Sequence, residues 1–113
     1  MAQMKAGLAV VEALRAEGVE HIFGIVGWTI NSIVTELYGR SDIKLIDTRH
    51  EEGAAFMAYG YARASGKPAV CLTTAGAGAA NLLTGMSLAY KGRAPVIAIA
   101  GDVARKHFGR DGH

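Results

Sequence analysis

The stretch that decides the fold is Ile43–Glu52, which reads Ile-Lys-Leu-Ile-Asp-Thr-Arg-His-Glu-Glu. Its first half is mostly apolar and predicts a short strand, whereas its charged second half opens an alanine-rich run that predicts a long helix. A strand that passes directly into a helix is typical of an α/β sheet, and ligands bind at the carboxyl ends of such strands. Glu51, at this turn, is therefore the first candidate for a functional residue.

The segments on both sides of this stretch continue the alternation of helix and strand. Helices are predicted over residues 3–18, 29–38, 51–65 and 81–91, and strands over residues 19–26, 43–48, 69–74 and 95–101. Strands that are separated by helices run parallel with right-handed crossovers. Their nearly continuous apolar character indicates a sheet that is covered on both faces. The sequence thus predicts an α/β fold, a doubly wound parallel sheet with helices on both faces.

The chain has 113 residues, which is the size of a single domain. The fourth predicted strand would leave an apolar sheet edge with nothing to cover it, an arrangement that natural proteins avoid. We therefore expect residues 1–113 to be one partial domain that a further segment or a partner completes.

Composition excludes several classes of protein. The chain is 50% hydrophobic and 19% charged, which indicates a folded domain, and its formal charge of +2 is too small to argue for a nucleic-acid partner. Arg105, Lys106 and Arg110 gather near the end without interleaved aromatic residues, so we interpret them as a solvated tail.

The cellular compartment is also predicted from composition. The single cysteine, Cys71, excludes an intrachain disulfide and lies in an apolar run, where a buried and unreactive thiol is expected. We find no signal peptide and no apolar span long enough to cross a membrane. These observations predict a soluble cytoplasmic protein.

Three loops are expected to follow carboxyl ends of strands: Gly27–Thr29, Thr48–Glu51 and Ala75–Asn81. Because parallel strands end at the same edge of a sheet, a bound ligand would touch all three loops. The loop Gly76-Ala-Gly-Ala-Ala-Asn81 half resembles a dinucleotide fingerprint, and Asp102 ends the next strand. However, Asn81 occupies the third glycine position, and a tight strand-to-helix turn would need the glycines in any case.

Other chemistries find less support in the sequence. Asp47, His50, Glu51 and Glu52 match the spacing of no common metal site, so no metal ligand is predicted. His50 is expected to orient a neighbour or to pack at the turn. No G-x-S-x-G elbow is present for a hydrolytic triad.

Glu51 and Glu52 would both stabilise a helix N-terminus through the helix dipole, which accounts fully for Glu52. The helix behind Glu51 has almost no side-chain bulk, so another backbone or a flat ligand could approach it closely. Its small residues are Gly53, Ala54, Ala55, Ala58, Gly60, Ala62 and Ala64. A carboxylate at the head of such a helix is expected to be partly desolvated, which would raise its pKa.

The motifs Arg49-His-Glu-Glu-Gly-Ala-Ala55 and Gly60-Tyr-Ala-Arg-Ala-Ser-Gly-Lys67 resemble the pyrimidine-binding (PYR) domain of thiamine-diphosphate-dependent enzymes. The enzymes in question are of the acetolactate synthase, benzaldehyde lyase and 2-hydroxyacyl-CoA lyase type. The resemblance extends over the whole chain. Gly18–Gly27 is similar to the family's first strand and glycine turn, Thr73–Asn81 to its G-P-G-x-x-N loop, and Ala94–Gly101 to its next strand.

The resemblance implies a catalytic role for Glu51. In the family this glutamate hydrogen-bonds N1′ of the cofactor's aminopyrimidine and favours its imino tautomer, whose nitrogen removes the thiazolium C2 proton to give the ylid. By the same resemblance, other residues would surround the cofactor. Gly76, Gly78 and Asn81 would bind it, and Gly27, Trp28, Thr29 and His50 would lie on the substrate side.

The resemblance also implies partners. The family's diphosphate-binding domain, which binds the diphosphate through Mg²⁺, is absent from this chain and would come from the same or a facing subunit, in a homodimer or homotetramer. FAD use by a full enzyme cannot be read from these residues. Ala77, where many members have proline, and the bulky Trp28 leave the substrate unspecified.

The function that the resemblance implies is the N-terminal half-site of a thiamine-diphosphate-dependent lyase, carboligase or decarboxylase that acts on 2-keto acids or 2-hydroxy ketones. The chain alone would be inactive. Two alternatives stay open at this point: a non-catalytic assembly or regulatory module that keeps only the fold, and a dinucleotide-binding domain.

Overall fold

The computed structural model describes residues 3–110. The ends of the predicted domain, residues 1–2 and 111–113, lie outside the described residues. The strands are β1 (His21–Gly24), β2 (Lys44–Asp47), β3 (Ala69–Thr73) and β4 (Val96–Ala100). The helices are α1 (Ala6–Ala16), α2 (Asn31–Leu37), α3 (Glu51–Ser65), α4 (Ala77–Asn81) and α5 (Leu83–Lys91). Short 3₁₀ turns cover Trp28–Ile30 and Arg105–His107.

The four strands form one parallel sheet in the order β2-β1-β3-β4. The chain moves outward from β1 to β2 on one side and from β3 to β4 on the other. The boundary between β1 and β3 is therefore the topological switch point, where doubly wound sheets bind ligands. The predicted α/β fold with a parallel sheet and helices is confirmed.

The face covered by α1 and α2 buries branched aliphatic side chains. Alternate residues of β1 and β3 point to this face, among them Ile22, Val70 and Leu72. The buried cluster comprises Val11, Leu14, Val19, Ile22, Ile30, Ile33, Leu37, Ile43, Val70 and Leu72. This apolar layer holds the amino-terminal half of the domain together, because burial of each such side chain contributes roughly 1.5–3 kcal/mol.

The opposite face is covered by α3 and α5 and is built from much smaller side chains. Ala54, Ala55, Ala58 and Ala62 of α3 are fully or almost fully buried against the sheet. A Cβ atom on Gly85 of α5 would overlap the Cβ of Ala55. The small residues of α3 therefore let α5 approach closely, which is one of the uses predicted for them.

Two of the predicted helices differ most from the structure. The expected helix over residues 81–91 is divided into α4 and α5, and α4 begins at Ala77, inside the segment that was expected to be a loop. The run Ala77-Gly-Ala-Ala consists mainly of the strongest helix former, which outweighs Gly78. Helix α1 is shorter than the expected 3–18, and Met4, which lies within that expected range, precedes the helix and is 58% exposed.

The β4 edge carries exposed apolar residues, including Ile97, as the sequence predicted for the fourth strand. Whether a further segment covers this edge stays a prediction.

Within residues 3–110, no helix combines the length and apolarity that a membrane crossing requires.

Candidate functional site

The candidate site lies at the edge of the sheet where all four strands end. Two backbone hydrogen bonds join neighbouring strand ends there: Thr48 N–H donates to the Gly24 carbonyl at 3.0 Å, and Gly101 N–H donates to the Thr73 carbonyl at 2.9 Å. The loops that the sequence analysis singled out therefore meet at one edge, as expected for parallel strands.

The turn between β2 and α3 is fixed by its own side chains. His50 has extended backbone geometry at the N-cap of α3, and its Nδ1 accepts a hydrogen bond from Glu52 N–H at 3.1 Å. Thr48 Oγ1 donates to the His50 carbonyl at 3.2 Å. This capping orients Glu51 and Glu52 in the first helical turn, where the helix dipole stabilises their negative charge.

Glu51 reaches across the switch point to the loop after β3. The side-chain amide of Asn81, the last residue of α4, donates a hydrogen bond to Glu51 Oε2 at 3.0 Å. This bond is the largest cause of a pKa of Glu51 that lies below its ordinary value of 4.5, and burial acts in the opposite direction. The prediction of a raised pKa is therefore wrong for this structure, because the expected desolvation is outweighed by a hydrogen bond between residues thirty positions apart.

Gly78 brings α4 against the same carboxylate. A Cβ atom at Gly78 would overlap Thr73 Oγ1 and would lie 3.2 Å from Thr74 Cγ2 and 3.4 Å from Glu51 Oε1. Gly76, which precedes α4, has a φ of +68° that a residue with a side chain rarely adopts. The two glycines thus have separate tasks: Gly76 permits the turn, and Gly78 permits the close approach.

Thr29 connects the loop after β1 to the loop after β3. Its Oγ1 accepts a hydrogen bond from Ala75 N–H at 3.1 Å and shares a second one with Thr74 Oγ1 at 3.0 Å. Gly27 and Gly101 both permit this junction, because a Cβ on Gly27 would lie 2.5 Å from Thr74 Cβ and one on Gly101 would overlap Thr29 Oγ1.

Trp28 has a different environment from Thr29. Its side chain is 89% exposed and lines a cavity of about 440 Å³. The other lining residues are Thr29, Asp102, Val103, Ala104, Lys106 and His107. Lys106 was interpreted as part of a solvated tail; it is exposed, but it also borders this cavity.

The structure therefore joins most, but not all, of the predicted site residues. Glu51, Gly78 and Asn81 form one group, and Thr29 and Gly27 contact it through Thr74. The His50 side chain is engaged in capping α3, in agreement with the prediction that it orients a neighbour or packs at the turn.

Three residues at the strand ends were not among the predicted site residues: Thr73, Thr74 and Gly101. The hydroxyl of Thr73 is buried without a hydrogen-bond partner in the structure, next to Gly78. The sequence contains a signal for these threonines, since two adjacent threonines end an apolar strand immediately before a glycine turn. Hydroxyl groups that are buried at such a position need hydrogen-bond partners, which marks the strand end as a candidate polar site. Across residues 3–110, no three His, Cys, Asp or Glu side chains are grouped so that they could hold a metal ion.

Comparison with known proteins agrees with this geometry. Residues 4–113 match the family model described as "Thiamine pyrophosphate enzyme, N-terminal TPP binding domain". The chain is 48% identical over 108 residues to a "Probable acetolactate synthase large subunit" of Methanocaldococcus jannaschii, covering 96% of this chain and 18% of that protein.

Two further relatives have similar sequence identities to this chain. The chain is 47% identical over 106 residues to the "Acetolactate synthase" of Arthrospira platensis, covering 91% of this chain and 18% of the relative. It is 46% identical over 102 residues to the "Acetolactate synthase isozyme 2 large subunit" of Escherichia coli, covering 90% of this chain and 18% of the relative. The chain thus spans about a fifth of the length of these relatives. With a family match over nearly all its residues, the chain belongs to the family of thiamine pyrophosphate enzymes, as their N-terminal thiamine-pyrophosphate-binding domain.

Proposed function

We propose that this chain is the cofactor-activating half-site of an acetolactate-synthase-like enzyme, a carboligase that acts on 2-keto acids. The observation that carries the proposal is the bond between Asn81 and Glu51, which places an ionised carboxylate at the switch point of the sheet. The similarity to acetolactate synthases supports the reaction class. Lyase or decarboxylase chemistry on the same substrates is the alternative within the family.

The residues at the switch point fit an aminopyrimidine. Asn81 donates a hydrogen bond to Oε2 of Glu51. Oε1 lies beside Gly78 of α4, a residue that has no side chain. The hydroxyl of Thr73, buried and unpartnered beside Gly78, is a further polar atom close to this position. A flat ring with polar edge atoms is a suitable hydrogen-bond partner for this carboxylate.

When bound, thiamine diphosphate would supply a thiazolium carbon that acts as a nucleophile and an electron sink for 2-keto acids. Glu51 would share a proton with N1′ of the pyrimidine ring. The carboxylate, which is ionised at neutral pH, would stabilise a proton on that ring nitrogen by charge and by hydrogen bonding. Asn81 would hold the carboxylate in place and favour its ionised form.

The remaining half of the site would come from another domain of the same or a facing subunit, which would bind the diphosphate and Mg²⁺. Exposed apolar side chains on the helices that carry or follow Glu51 and Asn81, namely Phe56 and Met57 of α3 and Leu83 of α5, support a covering partner. We propose a homodimer or homotetramer on this basis, and we propose that the chain alone does not turn over substrate.

The experiment compares Glu51→Gln with Glu52→Gln in the complete protein that carries this domain. Each variant is assayed for product from pyruvate with thiamine diphosphate and Mg²⁺, and cofactor binding is measured separately by calorimetry. We expect Glu51→Gln to lose activity by orders of magnitude and Glu52→Gln to retain it. Equal activity of both variants would contradict the proposal, and saturable binding of NAD would revive the dinucleotide alternative.

A further inference from the structure

We infer that Thr29 is a positioning residue for Glu51, acting through the loop after β3 rather than through contact with substrate. The inference rests on the proposed function of Glu51. Thr29 and Glu51 lie in different turns, since Thr29 follows β1 and Glu51 follows β2. They are connected through β3, which neighbours β1 on the side away from β2, and through the segment that follows β3.

The first step is the junction of Thr29 with the end of β3. Its hydroxyl oxygen accepts from Ala75 N–H at 3.1 Å and forms a second hydrogen bond with Thr74 Oγ1 at 3.0 Å, so this oxygen makes two hydrogen bonds to the loop after β3. Gly101, at the end of β4, packs directly against the same oxygen. Thr29 therefore fixes the ends of β1, β3 and β4 with respect to one another.

The second step runs from Ala75 to Asn81. Ala75 is followed by Gly76, whose positive φ starts the turn into α4. Gly78 then lies against the side chains of both Thr73 and Thr74. Helix α4 has only five residues and ends at Asn81, so its orientation depends on how its first residues are held.

The third step is the bond from Asn81 to Glu51 Oε2 at 3.0 Å. A displacement of Ala75 would tilt the short α4 and lengthen this bond. Both the position of the carboxylate and its lowered pKa depend on Asn81, so loss of the Thr29 hydroxyl should change both. A structural role that only stabilised the fold would leave the titration of Glu51 unchanged.

The test uses the complete protein with Thr29→Val, which keeps the shape and removes the hydroxyl, and Thr29→Ser, which restores it. Thr35→Val is the matched control, because Thr35 bonds to the Asn31 carbonyl on an exposed part of α2. Two quantities are measured: kcat and KM with a 2-keto acid, and the titration of Glu51 by carbon NMR of the side-chain carboxyl in the cofactor-free protein.

We expect Thr29→Val to lower kcat about tenfold to a hundredfold, the range produced by small misplacements of a catalytic group. Its Glu51 pKa should rise toward the ordinary value, and Thr29→Ser should restore both quantities. If Thr29→Val does not fold, Thr74→Val removes one of the two bonds and is expected to shift the same two quantities in the same direction.

Wild-type kcat and an unchanged Glu51 titration in Thr29→Val, or in Thr74→Val where Thr29→Val does not fold, would overturn the inference if Glu51→Gln is inactive. The proposed function would then stand. Full activity of Glu51→Gln would instead overturn the proposed function and, with it, this inference. The two failures are thereby distinguished by one additional variant.

Discussion

Asn81 donates its side-chain amide hydrogen bond to Oε2 of Glu51 at 3.0 Å, across the boundary between the loops that follow β2 and β3. This relationship joins two segments that the sequence presents as separate motifs. It also lowers the pKa of the carboxyl group, because the bond stabilises the ionised form.

The first prediction concerns Asn81→Ala, which should raise the pKa of Glu51. A carboxyl group whose folded-state pKa is lowered contributes stability above its unfolded value of 4.5 and loses it as the pH falls through the folded-state pKa. Asn81→Ala should therefore reduce the free energy of unfolding by about 1 kcal/mol at pH 7, at the low end for bonds to charged groups because this pair is partly solvated.

The measurement for Asn81→Ala is urea unfolding at pH 7 and again at a pH below the folded-state pKa. The difference from wild type should shrink at the lower pH. Asn31→Ala, which removes an exposed amide from α2, serves as the control. An equal loss of stability at both pH values would argue against an ionised partner for Asn81.

The second prediction concerns Gly78→Ala. The added methyl group would overlap Thr73 Oγ1, which belongs to a fully buried strand that cannot move away, and would crowd Glu51 Oε1. We expect a loss of about 1–3 kcal/mol, the usual cost of overpacking. Cofactor affinity in the complete protein should fall as well.

The control for this variant is Gly60→Ala in α3. A Cβ at Gly60 meets nothing within 4 Å, so alanine should stabilise the helix by about 0.5–1 kcal/mol. Thermal or urea unfolding of both variants distinguishes the two cases. Stabilisation by Gly78→Ala would show that α4 does not pack against Thr73 as described.

The third prediction concerns Cys71. Its side chain is buried, its Sγ lies 3.6 Å from Met86 Sδ, and burial raises its pKa to about 11. Little thiolate is therefore present at pH 8, and modification should require unfolding. We expect alkylation by iodoacetamide to follow the unfolding rate as urea increases; rapid modification of the native protein would contradict the burial of this thiol.

The fold was largely predictable from sequence because hydrophobic patterns determine it locally. Local sequence patterns predict the strand-to-helix turn at Glu51, the close packing of the small residues of α3 and the apolar strands. The division between α4 and α5 was not predicted, since glycines at 76 and 78 were both interpreted as loop residues. In the structure only Gly76 has a backbone conformation that requires glycine.

Several residues that the motifs single out come together in the structure, but their individual contacts were less predictable. Glu51, Gly78 and Asn81 were singled out by motif, and the structure brings them together. The pKa direction of Glu51 was wrong because it depends on a tertiary bond to Asn81 that no local pattern encodes. The contact of Thr29 with Thr74, which joins residues 45 positions apart, escaped prediction for the same reason.

The most direct test of the central claim is hydrogen–deuterium exchange at C2 of thiamine diphosphate bound to the complete protein, with Glu51→Gln compared to wild type. The exchange reports on proton removal from the cofactor alone and does not require knowledge of the substrate. We predict that Glu51→Gln keeps the fold and binds the cofactor, but exchanges this proton slower by orders of magnitude. An exchange rate close to that of wild type would contradict the assignment of Glu51 as the residue that activates the cofactor.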